Sequence, residues 1–487
     1  MRPDFSSYKH KAVFDFFSEI NSIPRQSGNE KQISDYLKNF AEQRNLYVRQ
    51  DEWNNVVIKK PGTKGYEDRS AVIIQGHSDM VCVKSNNSSH DFSKDPISML
   101  IDGDFLKAKD TTLGADNGIA VAMSLALLDS ENISHPPLEI VITTDEEVGL
   151  TGAMKMNTDD LTGKYFINLD SEEEGEFVVS CAGGVRLCIT QNAEMTENNT
   201  EGCTVYRIEI KDLMGGHSGM EIDKKRGNSN RILGKVLLEL DKYVSGIIKI
   251  NGGVKDNVIP SYSAVEILVN NENIPVVEKL IENINDSVRN ELGSADKDVK
   301  IIYNKLESIS DKIKIISKKS YQDILLILVC SPNGIQTMSP EIQGLVQSSL
   351  NLGVIEHQDS IIKYIWALRS SVKSLKQHMI NQMKLFADRL NTGIETWGDY
   401  PDWPLKPKSK LEQICVNTYK SMFKKEPVVK GIHAGLEGGV FLEKLPHLEA
   451  ISLGPDMWEV HSINEKLSIS SVERTYDLLI SILQQLN

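Results

Sequence analysis

The chain of 487 residues is longer than one hydrophobic core can organise, which predicts two or more domains, and its apolar (40%) and charged (25%) fractions are those of ordinary globular proteins. A formal net charge of −14 argues against nucleic-acid and anionic-membrane partners, because both require a basic surface. The six cysteines form no C-x-x-C pair and indicate neither a disulfide framework nor a zinc knuckle. The N-terminal stretch lacks an apolar signal segment and no apolar run is long enough to span a membrane, so we expect a cytoplasmic protein.

Two amphipathic helices are predicted before the first strands. Residues 8–20 carry apolar side chains at helical spacing, and SGNE at 27–30 predicts a capping box before a helix whose apolar face includes Ile33, Leu37 and Phe40. Strand-like runs follow at 55–58 and 71–74.

The stretch AVIIQGHSDM at 71–80 reads as a buried strand that ends in polar side chains. In extended backbone, residues i and i+2 lie on one face, so Asp79 can accept a hydrogen bond from the imidazole of His77 and prepare its other nitrogen for a metal. The alternative is a strand end at which both side chains only meet solvent.

The stretch KDTTLGADNGIAVAMSLALLDS at 109–130 predicts an apolar helix that begins near Gly118. Asp116 stands in the glycine-bounded turn before this helix. It is either an N-cap or, because glycines allow close approach to a bound group, a carboxylate that bridges two cations.

Two further buried strands end in acidic residues. LEIVITT at 138–144 precedes Asp145, Glu146 and Glu147, and YFINL at 165–169 precedes Asp170. Adjacent glutamates point in different directions, so one can bind a metal while the other contacts a water. Because the carboxyl ends of strands form the ligand crevice of an open α/β sheet, we expect these acids to converge with His77.

From about residue 186 the chain becomes a mixed α/β region. The pattern predicts strands at 204–210, 264–269, 324–329 and 361–368, helices at 229–244, 276–291 and 371–390, and a return linker at 398–407. The glycine-rich segment GGHSG lies at 215–219 within this region. HAGLEGG at 433–439, a strand at 450–453, His461 and a helix from Ser470 complete the chain.

The motifs SIPRQSGNE, GHSDMV, LGADNGIA, TDEEVGLTGA, MGGHSGMEI, RSSVKS and IHAGLEGG occur in this order over nearly the whole chain. In order and spacing they resemble the dizinc peptidases of the M20 clan, and more closely the aminoacyl-histidine dipeptidases (carnosinase-like). The resemblance implies an α/β catalytic domain at 1–185 and 395–487, with a mostly parallel sheet flanked by helices, and an inserted α/β lid domain at 186–394. It also implies a cis peptide bond between Asp116 and Asn117.

The resemblance further implies that five residues bind two zinc ions. One zinc takes His77 and Asp170, the other takes Glu147 and His461, and Asp116 bridges them. Two dications about 3.5–4 Å apart need such a bridge to reduce their repulsion, and ligands without thiolates suit zinc, with manganese or cobalt able to substitute.

Two catalytic roles follow from the same resemblance. Glu146 is the general base, and Asp79 lies behind His77. General acid–base chemistry supports the role of Glu146. The two ions lower the pKa of a shared water, and a glutamate beside this water can accept its proton and pass it to the leaving amine.

The remaining candidates concern the substrate. His217 is the donor to the substrate carbonyl oxygen, Arg369 with Asn257 is the partner of the substrate carboxylate, and His433 with Glu437 either shapes or supports the pocket. An isolated histidine or arginine at such positions is more often a plain surface residue.

We therefore expect a metallodipeptidase that cleaves Xaa-His and related dipeptides. A sister hydrolase of the same scaffold, either an N-acyl amino acid deacylase or a tripeptidase, is the first alternative, and an inactive metal-stabilised binding protein is the second. Dimers are common in the family, so a homodimer is possible, and the sequence leaves open both whether two chains pair and whether His217 acts in its own chain. Gly438 replaces a cysteine of close relatives, which we expect to affect packing only.

Overall fold

The computed structural model describes residues 3–306 and 310–487, and the chain divides into two compact units. The first unit comprises Met1–Cys181, Trp403–Gly431 and Leu436–Asn487, and the second comprises Ala182–Asp402 and Ile432–Gly435. The chain thus leaves the first unit after Cys181 and returns at Trp403, whereas the sequence predicted these crossings at 185/186 and 394/395. No helix in the described ranges is both long and apolar enough to cross a membrane.

The α-helices of the described residues are, in chain order, α1 (Lys11–Ile20), α2 (Lys31–Gln43), α3 (Ala115–Asp129), α4 (Thr151–Lys155), α5 (Ser229–Leu240), α6 (Ile274–Leu292), α7 (Lys318–Cys330), α8 (Lys373–Arg389), α9 (Lys410–Phe423), α10 (Glu437–Lys444) and α11 (Ile469–Gln485).

The strands are β1 (Tyr47–Gln50), β2 (Val56–Lys60), β3 (Val72–His77), β4 (Met99–Asp102), β5 (Phe105–Ala108), β6 (Leu138–Thr143), β7 (Tyr165–Asn168), β8 (Glu176–Cys181), β9 (Gly183–Asn192), β10 (Met195–Asn199), β11 (Cys203–Lys211), β12 (Gly216–His217), β13 (Val244–Gly252), β14 (Val258–Ile259), β15 (Ser263–Asn270), β16 (Lys300–Lys305), β17 (Lys312–Ile316), β18 (Gly334–Met338), β19 (Val346–Gln358), β20 (Ile361–Ser370), β21 (Gly393–Tyr400), β22 (Val428–Ile432), β23 (Glu449–Ser452), β24 (Met457–Trp458) and β25 (Lys466–Ser468).

The first unit is built on one sheet with the strand order β1-β2-β6-β3-β7-β23-β8-β22. Its central strands β6, β3, β7 and β23 are parallel, and every residue of β3, β6 and β7 is buried. Apolar runs of this kind are buried on both faces of a parallel sheet, where helices cover them. The predicted mostly parallel α/β sheet is confirmed, and the carboxyl ends of β3, β6 and β7 lie side by side.

The second unit contains an antiparallel sheet with the order β16-β11-β15-β13-β19-β20-β9-β21, and β18 pairs with β19 outside this path. A large apolar core covers one face of this sheet. It combines alternating strand residues such as Ile208 and Ile267 with helix residues such as Leu233, Ile281 and Leu328. Alternation of this kind is expected for antiparallel strands with one face on a core.

The strand predicted at 324–329 is wrong, because this segment lies inside helix α7. The side chain of Ser317 accepts a hydrogen bond from the backbone N–H of Ser320 and caps the helix, while Ile324, Ile327 and Leu328 are buried at helical spacing. A short apolar run is compatible with both structures, so its length alone did not identify the longer helix.

The predicted capping box at 27–30 is also wrong. Helix α2 begins at Lys31, and Glu30 makes no side-chain cap. Its carboxylate instead accepts hydrogen bonds from the backbone N–H groups of Gly28 and Asp145, each at 3.1 Å. The polar side chain therefore ties two loops together instead of closing a helix.

Candidate functional site

The parallel strands of the first unit carry most of the candidate metal ligands to one edge of the sheet. His77 is the last residue of β3, Glu146 and Glu147 follow β6, and Asp170 follows β7. Strand β3 pairs with β6 up to His77 and Thr143, so these ends are level with each other. The shared edge explains why residues distant in sequence meet.

Asp116 lies between the two histidines of the cluster. Its Oδ1 is 3.2 Å from Nε2 of His77, and its Oδ2 is 3.0 Å from Nε2 of His461. His77 Nε2 is also 3.4 Å from Oδ1 of Asp170, and His461 Nε2 is 2.9 Å from Oε1 of Glu147. The structure therefore brings together these five predicted ligands, with one carboxylate touching both halves.

Asp79 is fully buried and binds three parts of the site. One carboxylate oxygen lies 3.3 Å from Nδ1 of His77 and accepts the backbone N–H of Glu146 at 3.1 Å. The other accepts the N–H of Glu147 at 3.2 Å and the hydroxyl of Ser27 at 2.9 Å. Asp79 thus orients the imidazole and also fixes the backbone of the acidic pair.

Asn117 supports the cluster in a way that the sequence did not reveal. Its amide oxygen accepts the backbone N–H of His77 at 3.1 Å, and its amide nitrogen donates to the carbonyl of Leu169 at 2.7 Å. It therefore joins the ends of β3 and β7. The peptide bond between Asp116 and Asn117 is cis, which confirms the expectation.

Two buried residues of opposite charge hold the turn before Asp116, and sequence reasoning missed both. The carboxylate of Glu465 accepts the backbone N–H groups of Leu113, Gly114 and Ala115 at 2.7, 3.1 and 2.8 Å. Arg25 donates to the carbonyl of Gly114 and to those of Ser78 and Asp79. Arg25 belongs to the quoted motif SIPRQSGNE, but no local pattern singled out Glu465.

Burial and crowding of carboxylates alter the pKa values of the cluster. Burial, with help from Asp116 and Glu147, raises the pKa of Asp170 to about 6, although His77 opposes the shift. Hydrogen bonds to Asp116 and Glu147 raise the pKa of His461 to about 11. The site therefore favours positive charge strongly.

The donor set fits metal ions. Three groups have ligand atoms that all lie within 4.8 Å of one another; they are His77 with Asp116 and Asp170, His77 with Glu146 and Glu147, and Asp116 with Glu147 and His461. Among the described residues, Oδ1 of Asp170 is buried and has no hydrogen-bond donor other than His77 Nε2 at the long distance of 3.4 Å, which leaves it able to bind a cation. Imidazole and carboxylate ligands without thiolate match the preferences of zinc and of manganese or cobalt.

His217, in the second unit, presents a proton on Nε2. Its Nδ1 accepts the backbone N–H of Met220 at 3.0 Å, so a neutral ring carries its hydrogen on Nε2. Burial and the positive charge of Arg369 lower the pKa of His217 to about 4, which keeps the ring neutral at pH 7. Nε2 lies 3.4 Å from Nη2 of Arg369, so two donors face each other.

Arg369 is 5% exposed and has no carboxylate partner within the described part of the chain. Its Nη1 donates to the phenol oxygen of Tyr400 at 2.8 Å, and its Nε is buried without an acceptor. An unpaired buried cation is costly unless an anion joins it. This arrangement suits a ligand carboxylate.

The other candidates lie in different surroundings. The carbonyl of Asn257 accepts the N–H of Ser218 at 2.9 Å, so Asn257 borders the His217 loop. His433 is buried with its Nε2 2.7 Å from Oγ of Ser349. Glu437 belongs to the first unit, where it is fully buried, accepts hydrogen bonds from Gln75 and Thr143, and has a pKa raised by burial to about 8.

Comparisons with known proteins agree on one family. Residues 73–485 match the peptidase family M20/M25/M40. The chain is 35% identical over 488 residues to the cytosol non-specific dipeptidase of Escherichia coli K12, covering 99% of each protein. The structure matches aminoacylhistidine dipeptidase from Vibrio alginolyticus with a TM-score of 0.91 and 33% identity, over 100% of this chain and 98% of that one. An aminopeptidase from Bacillus cereus shares the fold at a TM-score of 0.56 and 15% identity, over 98% and 99% of the two chains.

Proposed function

The chain belongs to peptidase family M20/M25/M40, and from this premise we propose that it is a metal-dependent dipeptidase that hydrolyses Xaa-His and related dipeptides. Relatives named as dipeptidases align with it from end to end at 33–35% identity, which supports this activity. The observation that carries the proposal is Asp116, whose two oxygens contact the histidines of both halves of the acidic cluster at 3.2 and 3.0 Å.

We assign the cluster to two metal ions, with zinc as the first choice and manganese or cobalt as substitutes. His77 and Asp170 would hold one ion, Glu147 and His461 the other, and Asp116 both. When bound, the ions would supply Lewis-acid chemistry, which polarises the peptide carbonyl and acidifies water.

Glu146 is the proposed general base. One of its carboxylate oxygens lies within 4.8 Å of a ligand atom of His77 and of Glu147, and its backbone N–H donates a hydrogen bond to Asp79 at 3.1 Å. Its carboxylate takes the proton of the attacking water and delivers it to the nitrogen of the leaving amino acid, which departs as a neutral amine. Asp79 has an orienting role because its oxygens reach His77 and both glutamate amides.

Arg369 and His217 are the proposed substrate-binding groups of the second unit. Arg369 would bind the free carboxylate of the dipeptide through its unpaired edge, with Asn257 alongside. His217 would donate Nε2–H to a substrate oxygen, for which its neutral state and fixed tautomer suit it. His433, whose Nε2 lies 2.7 Å from Oγ of Ser349, would support the groups of the second unit. Glu437, which accepts hydrogen bonds from Gln75 and Thr143, would support strands β3 and β6 of the first unit.

The deciding experiment replaces the base while the ligands are kept. Glu146→Gln should lower kcat by at least about 10³-fold, as loss of a general base does, while metal analysis still finds two ions per chain. Glu173→Gln is the matched control, because this exposed acid lies near Asp170 but outside the cluster. Unchanged turnover in Glu146→Gln would remove its assigned role.

A substrate panel separates the dipeptidase from the sister hydrolases. Cleavage of Xaa-His and other free dipeptides, with little action on N-acyl amino acids and tripeptides, is expected. The reverse preference would identify a deacylase or tripeptidase, and no turnover with bound metal would identify a binding protein. A cytoplasmic homodimer remains part of the proposal, on the family resemblance and the cytosolic name of the Escherichia coli relative, and light scattering tests the oligomeric state.

A further inference from the structure

We propose that Tyr400 is a positioning residue for Arg369, and that Gly184 and Gly435 make the slot that holds the Tyr400 ring. The inference rests on the proposed function, because it deepens the assignment of Arg369 to the substrate carboxylate. Tyr400 does not touch the substrate in this proposal. It orients the guanidinium of Arg369, which does.

The strand register puts Tyr400 and Arg369 on the same face of the sheet. In strand β9, Gly184 is paired on one side with Arg369 of β20 and on the other side with Tyr400 of β21. Residues in register across neighbouring strands point to the same face. Arg369 and Tyr400 are thus two strands apart in one row, with a residue lacking a side chain between them.

Gly184 is required for the two side chains to meet. A Cβ atom at this position would lie 2.4 Å from Oη of Tyr400 and 2.5 Å from its Cζ. Any larger residue would therefore occupy the space through which the phenol crosses β9 to reach Arg369. Because Gly184 has no side chain, Nη1 of Arg369 and Oη of Tyr400 can approach each other to 2.8 Å.

Gly435 closes the slot on another side. A Cβ atom there would lie 2.7 Å from Cε2 of the same ring. The backbone of Tyr400 is anchored as well, since its carbonyl accepts a hydrogen bond at 2.8 Å from the buried ammonium of Lys376. The ring, its hydroxyl and its backbone are each fixed by a different contact.

The contact selects which edge of the guanidinium is left for a ligand. Tyr400 accepts a hydrogen bond from Nη1, while within residues 3–306 and 310–487 Nε has no acceptor and Nη2 faces only the Nε2 of His217, which is itself a donor. Nε and Nη2 form the edge that binds a carboxylate with two parallel hydrogen bonds. At Gly219 a Cβ atom would lie 3.0 Å from Nε, so a residue with a side chain at this position would crowd this edge.

Tyr400→Phe tests the proposal with two substrates, a free Xaa-His dipeptide and its C-terminal amide. For the free dipeptide, KM should rise about ten-fold, the size of one lost hydrogen bond to a charged group, while kcat stays within about two-fold. The amide has no carboxylate, so its kcat/KM should be the same in both proteins. Tyr364→Phe is the matched control, because it removes the buried hydrogen bond of Tyr364 to Gln191 at 2.9 Å in the same unit without touching Arg369.

A double-mutant cycle separates positioning from a general structural effect. In an Arg369→Ala background, Tyr400→Phe should add no further rise in KM, because the group that it positions is gone. Gly184→Ala provides a second route, since it displaces the phenol while keeping its hydroxyl, and it should raise the KM of the free dipeptide alone.

The outcomes distinguish the two proposals. The dipeptidase assignment stands if the wild-type protein cleaves free dipeptides in preference to amides and Arg369→Ala abolishes that preference. If Tyr400→Phe and Gly184→Ala nevertheless leave KM unchanged, the positioning role of Tyr400 is refuted. Equal effects on free and amidated substrates, or additive effects in the Arg369→Ala background, would also refute it. Failure of the wild-type protein to cleave any dipeptide would instead overturn the proposed function.

Discussion

Replacing the buried carboxylate of Glu465 should weaken both the fold and the metal site. Glu465 is 3% exposed and accepts the backbone N–H groups of Leu113, Gly114 and Ala115. Gly114 has a φ of +68°, a backbone conformation that glycine adopts readily. The carboxylate therefore holds an unusual turn whose next residue is Asp116, the proposed bridging ligand.

The size of the effect follows from the number of donors. Oε2 accepts two of the N–H groups and Oε1 accepts the third, at 2.7–3.1 Å. In Glu465→Gln only one oxygen remains, so at least one N–H loses its acceptor and faces an NH2 group. A hydrogen bond to a charged acceptor contributes about 1.5–3 kcal/mol and a neutral one about 1 kcal/mol, so we expect the free energy of unfolding to fall by about 3–4 kcal/mol.

Glu139→Gln is the matched control. Glu139 is also 3% exposed, and its carboxylate accepts the backbone N–H groups of Thr162 and Gly163 at 3.0 Å. It lies near the start of β6, at the opposite end of this strand from Glu146. We expect a similar loss of stability but unchanged metal affinity, because no proposed ligand depends on this carboxylate.

The assay combines denaturant unfolding of the metal-free proteins with a zinc titration against a chromophoric chelator. Glu465→Gln should bind zinc about 10–100-fold more weakly than the wild type, the usual cost of losing a residue that orients a metal ligand. Equal zinc affinity in the two glutamine variants, at equal loss of stability, would show that the turn does not position Asp116. A stability loss below about 1 kcal/mol in Glu465→Gln would refute the hydrogen-bond argument itself.

Three further predictions concern the metal site and its surroundings. Chelation should abolish dipeptide hydrolysis, and added zinc, manganese or cobalt should restore it, as followed by activity and metal analysis; activity that survives complete metal removal would contradict the mechanism. Asp116→Asn should reduce bound metal from two ions to one or none and lower kcat by at least about 10³-fold, measured together so that loss of metal and loss of rate can be compared. Gly438→Cys should lower stability by about 1–3 kcal/mol with little change in kcat, because a Cβ atom there would lie 2.7 Å from Cε3 of Trp403; a thermal melt and a rate measurement check both parts.

The ligands that follow parallel strands could be predicted from the sequence, for a reason that lies in the fold. β3, β6 and β7 are short apolar runs, and parallel neighbours end at one edge, so the sequence predicts that the ligands His77, Glu147 and Asp170 converge, together with the proposed base Glu146. His461 carries no such signal. It stands nine residues beyond the end of β23, and only the resemblance to a family pointed to it.

The residues that the sequence did not reveal act through contacts between distant parts of the chain. Glu465 binds a turn 350 residues earlier, and Tyr400 meets Arg369 across a glycine of a third strand. Neither contact leaves a periodic pattern or a local spacing. The error at α7 has a local cause, since a short run of leucines and isoleucines fits a strand and a helix equally well.

Each unit buries charge that its own residues do not neutralise, and the signs are opposite. In the first unit, carboxylates crowd around His77 and His461, and burial raises the pKa of Asp170 to about 6. In the second unit, Arg369 is buried against a phenol and a neutral imidazole. Burial of this kind reduces the stability of the free protein, and it is offset only when cations and an anion bind. Residues that merely stabilised the fold would have no reason to leave either charge uncompensated, whereas the proposed binding of metal ions in the first unit and of a carboxylate in the second accounts for each of them.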